Sequence, residues 1–247
     1  MKKRILVGTS GYNYEHWKGV FYPKDIKQNK WLQFYSQHFN TVELNVTFYR
    51  LPQKKAFQSW YQRTPKNFAF VIKGSRYITH IKRLNACSQP LNLFFKNAAP
   101  LKEKLFCVLW QLPPSLKFDL KRLENFVLLL KKKYSSCRHS FEFRHESWFN
   151  DTTYELLKDN NINLCIAHSP NFPAYEVALS NFIYLRFHGG EQLYSSNYTD
   201  SELKNWAQKA KKLSKGKSII FAFFNNDAQG FAIKNALKFR KLLNEKL

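Results

Sequence analysis

Acidic residues are scarce: 17 Asp and Glu stand against 40 Lys and Arg in 247 residues, a formal net charge of +23. An acidic-surface protein is excluded, and an anionic partner is favoured, whether a small molecule, a nucleic acid or an anionic membrane. Lys, Asn and Phe are all abundant, as AT-rich coding produces, and that origin competes with a functional one. It does not account for the shortage of Asp and Glu. Cysteine is sparse too. Cys87, Cys107, Cys137 and Cys165 form no CxxC pair and no short metal spacing, so the common zinc and thioredoxin-like patterns are absent. Cys107 and Cys165 lie within apolar runs and read as buried thiols in a reducing cytoplasm. No run of about 18 apolar residues occurs, so no membrane insertion is expected. The basic start Met1-Lys2-Lys3-Arg4 imitates a signal peptide, but the apolar run behind it stops after Val7 and is too short.

Several motifs are missing as well. There is no GxGxxG, no HExxH and no GxSxG, and Gly216-Lys217-Ser218 lacks the upstream glycine of a phosphate loop. No Pro/Ser/Gly-rich linker divides the chain, so residues 1–247 read as one domain.

What is present is alternation. Short runs rich in Val, Ile, Phe and Tyr predict strands at 5–8, 41–45, 68–74, 105–112, 140–144, 163–168, 182–188 and 218–225. Helix patterns fall between them at 30–39, 53–64, 91–105, 120–134, 152–160, 200–213 and 228–247, with Asp119 as an N-cap and Glu202 early in its helix. Eight units of about 31 residues are the arithmetic of an α/β TIM-type (β/α)8 barrel with parallel strands. An open doubly wound sheet is the alternative, and it lacks its Gly-rich first turn.

Polar residues gather where these strands end. Period two puts the charges of Phe141-Glu142-Phe143-Arg144 on one face and the rings on the other. The same split holds for Glu43-Leu44-Asn45, and for Tyr184, Arg186 and His188. Helices cover the apolar outer face, so the polar face points into the barrel mouth. Buried charges there must pair or hold a ligand. Glu142 and Glu43 are the strand-borne carboxylates and the general acid/base candidates, with His145 and His188 assisting. Lys73, Arg76, Arg144 and Arg186 make a cationic mouth suited to phosphate or carboxylate. Tyr12, Asn45, His80, Gln111, Asn225, Asn226 and Asp227 complete the candidate binding set. The purely structural alternative is that these charges only satisfy one another. A metal held by Glu43, Glu142, His168, His188 and Asp227 has no fixed spacing, and four nearby cations oppose it, so no cofactor is expected. Loop aromatics, Tyr14, Phe48, Tyr49, Tyr77 and Tyr194 among them, either pack or stack on a base or sugar.

These segments resemble a known family. Gly8-Thr9-Ser10-Gly11-Tyr12, Trp17-Lys18-Gly19, Thr41-Val42-Glu43-Leu44-Asn45 and Phe48-Tyr49-Arg50-Leu51-Pro52 are similar to the YecE-like family, also called domain-of-unknown-function family seventy-two. So are Lys73-Gly74-Ser75-Arg76, Gln111-Leu112-Pro113-Pro114, Glu142-Phe143-Arg144-His145, Arg186-Phe187-His188-Gly189 and Phe224-Asn225-Asn226-Asp227. The resemblance implies a TIM-type barrel and no particular activity. Tyr12 stands where the family often has Trp, and His168 where a carboxylate is common.

Three functions fit. The first is an enzyme, a hydrolase or isomerase, with a phosphate-bearing substrate in the mouth. There Glu142→Gln is expected to abolish turnover and leave the fold intact. The second is a nucleic-acid binder, with or without catalysis, and the third a non-catalytic small-ligand sensor. Nothing in the sequence fixes an oligomeric state.

Overall fold

The computed structural model describes residues 4–245. The basic start at Met1-Lys2-Lys3 and the last two positions of the expected C-terminal helix lie outside the described residues. Eight parallel strands form one sheet in the order β1-β8-β7-β6-β5-β4-β3-β2. They are β1 Arg4–Thr9, β2 Thr41–Leu44, β3 Ala69–Lys73, β4 Leu105–Gln111, β5 Arg138–Glu142, β6 Asn163–His168, β7 Phe182–Phe187 and β8 Ile219–Phe224. Around them run α1 Trp31–His38, α2 Val46–Tyr49, α3 Lys54–Gln62, α4 Ser88–Ala98, α5 Leu120–Tyr134, α6 Asp151–Asp159, α7 Asp200–Leu213 and α8 Phe231–Asn244. This is the expected TIM-type barrel, nearly closed.

Two apolar layers follow from the period-two pattern. Leu6, Val71, Leu109, Cys165, Tyr184 and Phe221 belong to a cluster that fills the barrel. Val7, Ile72, Val108, Phe141, Leu185 and Phe224 belong to the larger cluster under the helices. The inner layer is apolar only in the lower part of the barrel. Further along six of the strands the inward positions turn polar, at Ser10, Glu43, Lys73, Gln111, Glu142 and Arg186, while β6 and β8 continue with Ala167 and Phe223.

Helix ends follow their sequence signals. Asp119 accepts a hydrogen bond from Arg122 N at 3.0 Å and caps α5. Thr199 and Glu202 form a reciprocal capping box on α7. Other boundaries moved. β5 begins two residues earlier than expected and ends at Glu142, because Cys107 of β4 pairs with Arg138. Helix α4 starts at Ser88, with Pro90 tolerated in its first turn, and stops before Pro100. The turn α2 and a π-helical turn, Tyr77–Ile81, were not legible as elements. No helix joins β6 to β7. Among the described residues, no helix is long and apolar enough to cross a membrane.

Closure between β1 and β2 rests on little backbone pairing, a single parallel bridge between Ser10 and Glu43. Tyr35 of α1 fills the seam below it. Thr9 N donates to the Tyr35 hydroxyl at 3.0 Å, and that hydroxyl donates to the Thr41 carbonyl at 3.1 Å. Gly8 makes room, since a Cβ there would meet Thr41 O at 2.3 Å. One side-chain hydroxyl thus replaces a missing rung of the ladder. Tyr35→Phe leaves a buried donor and acceptor unpaired and should lower unfolding free energy by about 1–3 kcal/mol. Urea denaturation checks this, and an unchanged midpoint would refute it.

Candidate active site at the barrel mouth

The mouth is organised by one buried arginine. Arg186, at the end of β7 and 1% exposed, donates through Nη2 to Glu43 Oε1 at 2.6 Å and through Nη1 to Glu142 Oε2 at 2.5 Å. Three charges out of water are tolerable only when their hydrogen bonds are also met. Each carboxylate oxygen here has a donor, although Arg186 Nε has no partner among the described residues. Ser10 Oγ donates to Glu43 Oε1 at 2.7 Å, and the Tyr184 hydroxyl donates to Glu43 Oε2 at 2.6 Å. Arg144 Nε donates to Glu142 Oε1 at 2.9 Å. Burial alone would raise the Glu142 carboxyl, but Arg186 and Arg144 outweigh it and hold it far below the usual carboxylate range. Burial, reinforced by Arg186, keeps the His188 imidazole neutral, and Asn225 Nδ2 stands 3.1 Å from its Nδ1.

Above this layer opens a cleft of about 410 Å³, lined by Tyr14, Asn45, Tyr49, Lys73 and Gln111, and across from them by Arg144, Arg186, Tyr194, Asn225 and Asp227. Lys73, Gln111 and Arg144 come from three neighbouring strand ends, β3, β4 and β5. Arg144 spends Nε on Glu142, and its guanidinium lies 4.1 Å from the Phe172 ring centre. Its two terminal nitrogens make no hydrogen bond among the described residues, which leaves a charged fork for an anion. Gln111 and Asn45 each carry a buried side-chain oxygen without a partner among the described residues. Such groups at a cleft are ones a ligand can satisfy.

Lys73 is held by its neighbours. Thr47 of α2 donates to the Lys73 carbonyl at 2.6 Å, which seats α2 against the end of β3. Phe48 then lies under the ammonium, with Nζ 4.1 Å from the ring centre, and Tyr49 turns out to wall the cleft. Gly74 follows because a Cβ there would meet the Trp110 ring at 2.2 Å. Burial first, and then Arg186, lower the Lys73 pKa to about 7. Burial on the other rim raises the Asp227 carboxyl.

The cleft therefore gathers Asn45, Lys73, Gln111, Arg144, Arg186, Asn225 and Asp227 from the expected set. Glu43, Glu142 and His188 lie beneath it, fully buried. The other expected residues stand elsewhere. His145 Nδ1 caps a short turn by accepting from Ser147 N at 3.1 Å. Asn226 braces the loop after β8, donating to Ser196 O at 2.9 Å and Asn235 Oδ1 at 2.8 Å. Tyr12 packs on Tyr35 with ring centres 6.2 Å apart. Arg76 is exposed, and His80 lies against Phe48, its pKa lowered to about 4 by burial and then Lys73. Ser10 and Tyr184 as carboxylate partners, and Phe172 under Arg144, were not anticipated. Tyr184 carried a signal, its period-two spacing from Arg186; Phe172 sits in an irregular connection and carried none. Among the described residues, no group of three or more His, Cys, Asp or Glu side chains is placed to share a metal ion.

A barrel with a polar, partly cationic C-terminal mouth is the class that fold and site define. The family profile described as "Protein of unknown function DUF72" matches residues 6–247, and the chain belongs to that family. It is 28% identical to UPF0759 protein YunF of Bacillus subtilis (strain 168), covering 97% of this chain and 95% of that protein. UPF0759 protein YecE of Escherichia coli (strain K12) is 29% identical over 48% of this chain and 43% of its own length. A DUF72 family crystal structure from Thermotoga maritima MSB8 superposes with a TM-score of 0.87 at 32% identity, covering 98% of this chain and 100% of that one. A second, from Enterococcus faecalis V583, has a TM-score of 0.83 at 22% identity over 98% of this chain and 96% of that one, and shares the fold.

The expectation that Glu142→Gln spares the fold does not survive this geometry. The substitution leaves Arg186 short of a counter-charge in a dry site and should cost about 3–5 kcal/mol. Because its folded pKa is depressed, Glu142 stabilises the protein above the ordinary carboxyl value of 4.5 and loses that contribution as pH falls below it. Wild type should therefore lose stability on acidification more steeply than Glu142→Gln. Denaturation curves between neutral and acid pH check both points, and equal acid slopes would contradict the second.

Proposed function

We propose that the protein is an enzyme that binds a small phosphate-bearing substrate in the barrel mouth, through Arg144, Lys73 and Gln111. The observation that carries this reading is the division of charge. Glu43 and Glu142 are engaged by Arg186, Arg144, Ser10 and Tyr184, while the two terminal nitrogens of Arg144 and the Lys73 ammonium line the cleft without a hydrogen-bonded acid among the described residues. Family membership and fold name no substrate.

The proton-carrying role moves accordingly. A carboxylate held far below its usual range is a weak base, and Glu142 is enclosed. A lysine that titrates near neutral pH on the cleft wall is matched to acid/base work. Glu142 and Glu43 then act as the fixed field that positions Arg186 and Arg144.

Inorganic phosphate should raise the unfolding free energy of wild type, by about 2.7 kcal/mol at a concentration 100-fold above Kd. Arg144→Ala should lose that gain, and Arg76→Ala, altered at an exposed position, should keep it. A phosphate response equal in all three proteins would remove Arg144 from the site.

A second reading has its own observation. Tyr49 and Tyr77, 75% and 53% exposed, stand with Arg50 around an adjoining cleft of about 570 Å³. Exposed rings beside arginine suit single-stranded nucleic acid. Oligonucleotide binding that weakens steeply with salt, and falls in Tyr49→Ala, would support it; no binding at low salt would end it.

A further inference from the structure

Among the described residues two lysines are buried, and their surroundings differ in kind. Lys104 is 4% exposed, and its ammonium donates to Tyr61 O at 2.6 Å, Thr64 O at 2.7 Å and Thr64 Oγ1 at 3.1 Å. That is a buried cation with all three donors used, as structural burial requires. Lys73 is 7% exposed, and among the described residues its ammonium makes no hydrogen bond and no ion pair. It lies 4.1 Å from the centre of the Phe48 ring and opens on the cleft. The charges around it come from several elements: Arg186 on β7, Glu142 and Arg144 at β5, Glu43 on β2 and His80 in the turn after β3. The four carboxylate oxygens accept from Ser10, Tyr184, Arg144 or Arg186, and none of them forms an ion pair with Lys73.

We infer that Lys73 is a nucleophile, and that the substrate of the mouth is an aldehyde or ketone carrying a phosphate group, which Lys73 captures as an imine. This rests on the anion-binding reading above and names the reacting group. A desolvated lysine beside other cations is the arrangement that frees an amine to attack a carbonyl. Burial and Arg186 lower its pKa to about 7, so a large share is neutral at neutral pH. The neutral amine adds to the carbonyl carbon, and its proton passes to the former carbonyl oxygen. That oxygen takes up one further proton and leaves as water, and the nitrogen keeps a double bond to carbon as a protonated imine. The protonated imine carries the same charge at this position as the ammonium form of Lys73. Arg144 comes from two strands away, a backbone separation of about 10 Å at ~4.8 Å per strand, and its fork holds the phosphate at the other end of a short chain. The unsatisfied Gln111 and Asn45 oxygens give hydroxyl groups on that chain their acceptors.

Pyridoxal 5′-phosphate, a phosphorylated aldehyde, serves as the probe. The full-length protein is treated with it at neutral pH, reduced with borohydride, and mapped by peptide mass spectrometry. Lys73 should carry at least about tenfold more reduced adduct than the average surface lysine, because its neutral fraction is far higher. Inorganic phosphate should suppress that adduct selectively, and Arg144→Ala should reduce it while surface labelling stays constant. Lys73→Arg, checked for folding by circular dichroism, should abolish it; the wild-type map and phosphate protection stand even if that variant fails to fold. If phosphate stabilises the protein but Lys73 stays unlabelled, the imine falls and the anion site survives. If Lys73 is labelled preferentially and phosphate neither protects nor stabilises, the nucleophile stands and the phosphate-bearing substrate falls. Labelling spread evenly over surface lysines, with no phosphate effect, overturns both.

Discussion

Arg186 is the constraint on which the upper half of the barrel depends. One guanidinium, buried at the end of β7, ties Glu43 of β2 to Glu142 of β5. Those strands are not neighbours in the sheet, so the arginine spans the barrel interior rather than a single ladder. It also reinforces the weakest point of the closure. Glu43 is the residue that bridges to Ser10 across the β1–β2 seam, and the Ser10 side chain donates to the same carboxylate. Electrostatics and closure therefore meet at one residue, and the buried ions fix geometry at a desolvation cost that apolar packing would not incur.

The character of the cleft follows. With both carboxylates engaged from within, the wall presents the terminal nitrogens of Arg144, Lys73, neutral amides and tyrosines, opposed by Asp227 beyond β8. The same burial that fills the lower barrel with Leu6, Val71 and Phe221 makes the upper layer dry enough to shift protonation. The shifts run in different directions for nameable reasons. Glu142 falls because two guanidinium groups outweigh its burial, while Lys73 and His188 fall because burial and Arg186 act together. A site with a permanently ionised pair below and a lysine poised near neutrality above has its proton-exchanging groups on the cleft wall, at Lys73 and Asp227, rather than in the buried carboxylates.

Much of this was legible in the sequence, for a physical reason. Strands buried on both faces announce themselves as Val/Ile/Phe runs, and period two separates inward from outward positions without knowledge of neighbours. That is how Glu43, Glu142, Lys73, Gln111 and Arg186 could be assigned to one mouth. What alternation cannot give is the pairing across the barrel. Nothing in the chain says that Glu142 pairs with Arg186 and Arg144 while Lys73 lies over a ring without an ion pair, so the pattern marks the carboxylate as the proton carrier and the lysine as a simple anion contact. Loop residues suffered most. His145 and Asn226 sit in motifs beside the site, yet they serve a turn and a brace, and Phe172 entered from a connection without periodicity. The turn α2 was missed because four residues carry too little pattern, although it seats Phe48 beneath Lys73.

The chemistry of the mouth turns on the protonation of one amine. The most direct measurement is the titration of the Lys73 side chain by NMR in protein labelled with ¹³C and ¹⁵N at lysine, with Lys73→Arg identifying the resonance. A midpoint near 7 is the result predicted for an unpaired ammonium buried beside Arg186. A midpoint at the ordinary lysine value of 10.5 would mean that the ammonium is solvated or paired, and would contradict the central claim.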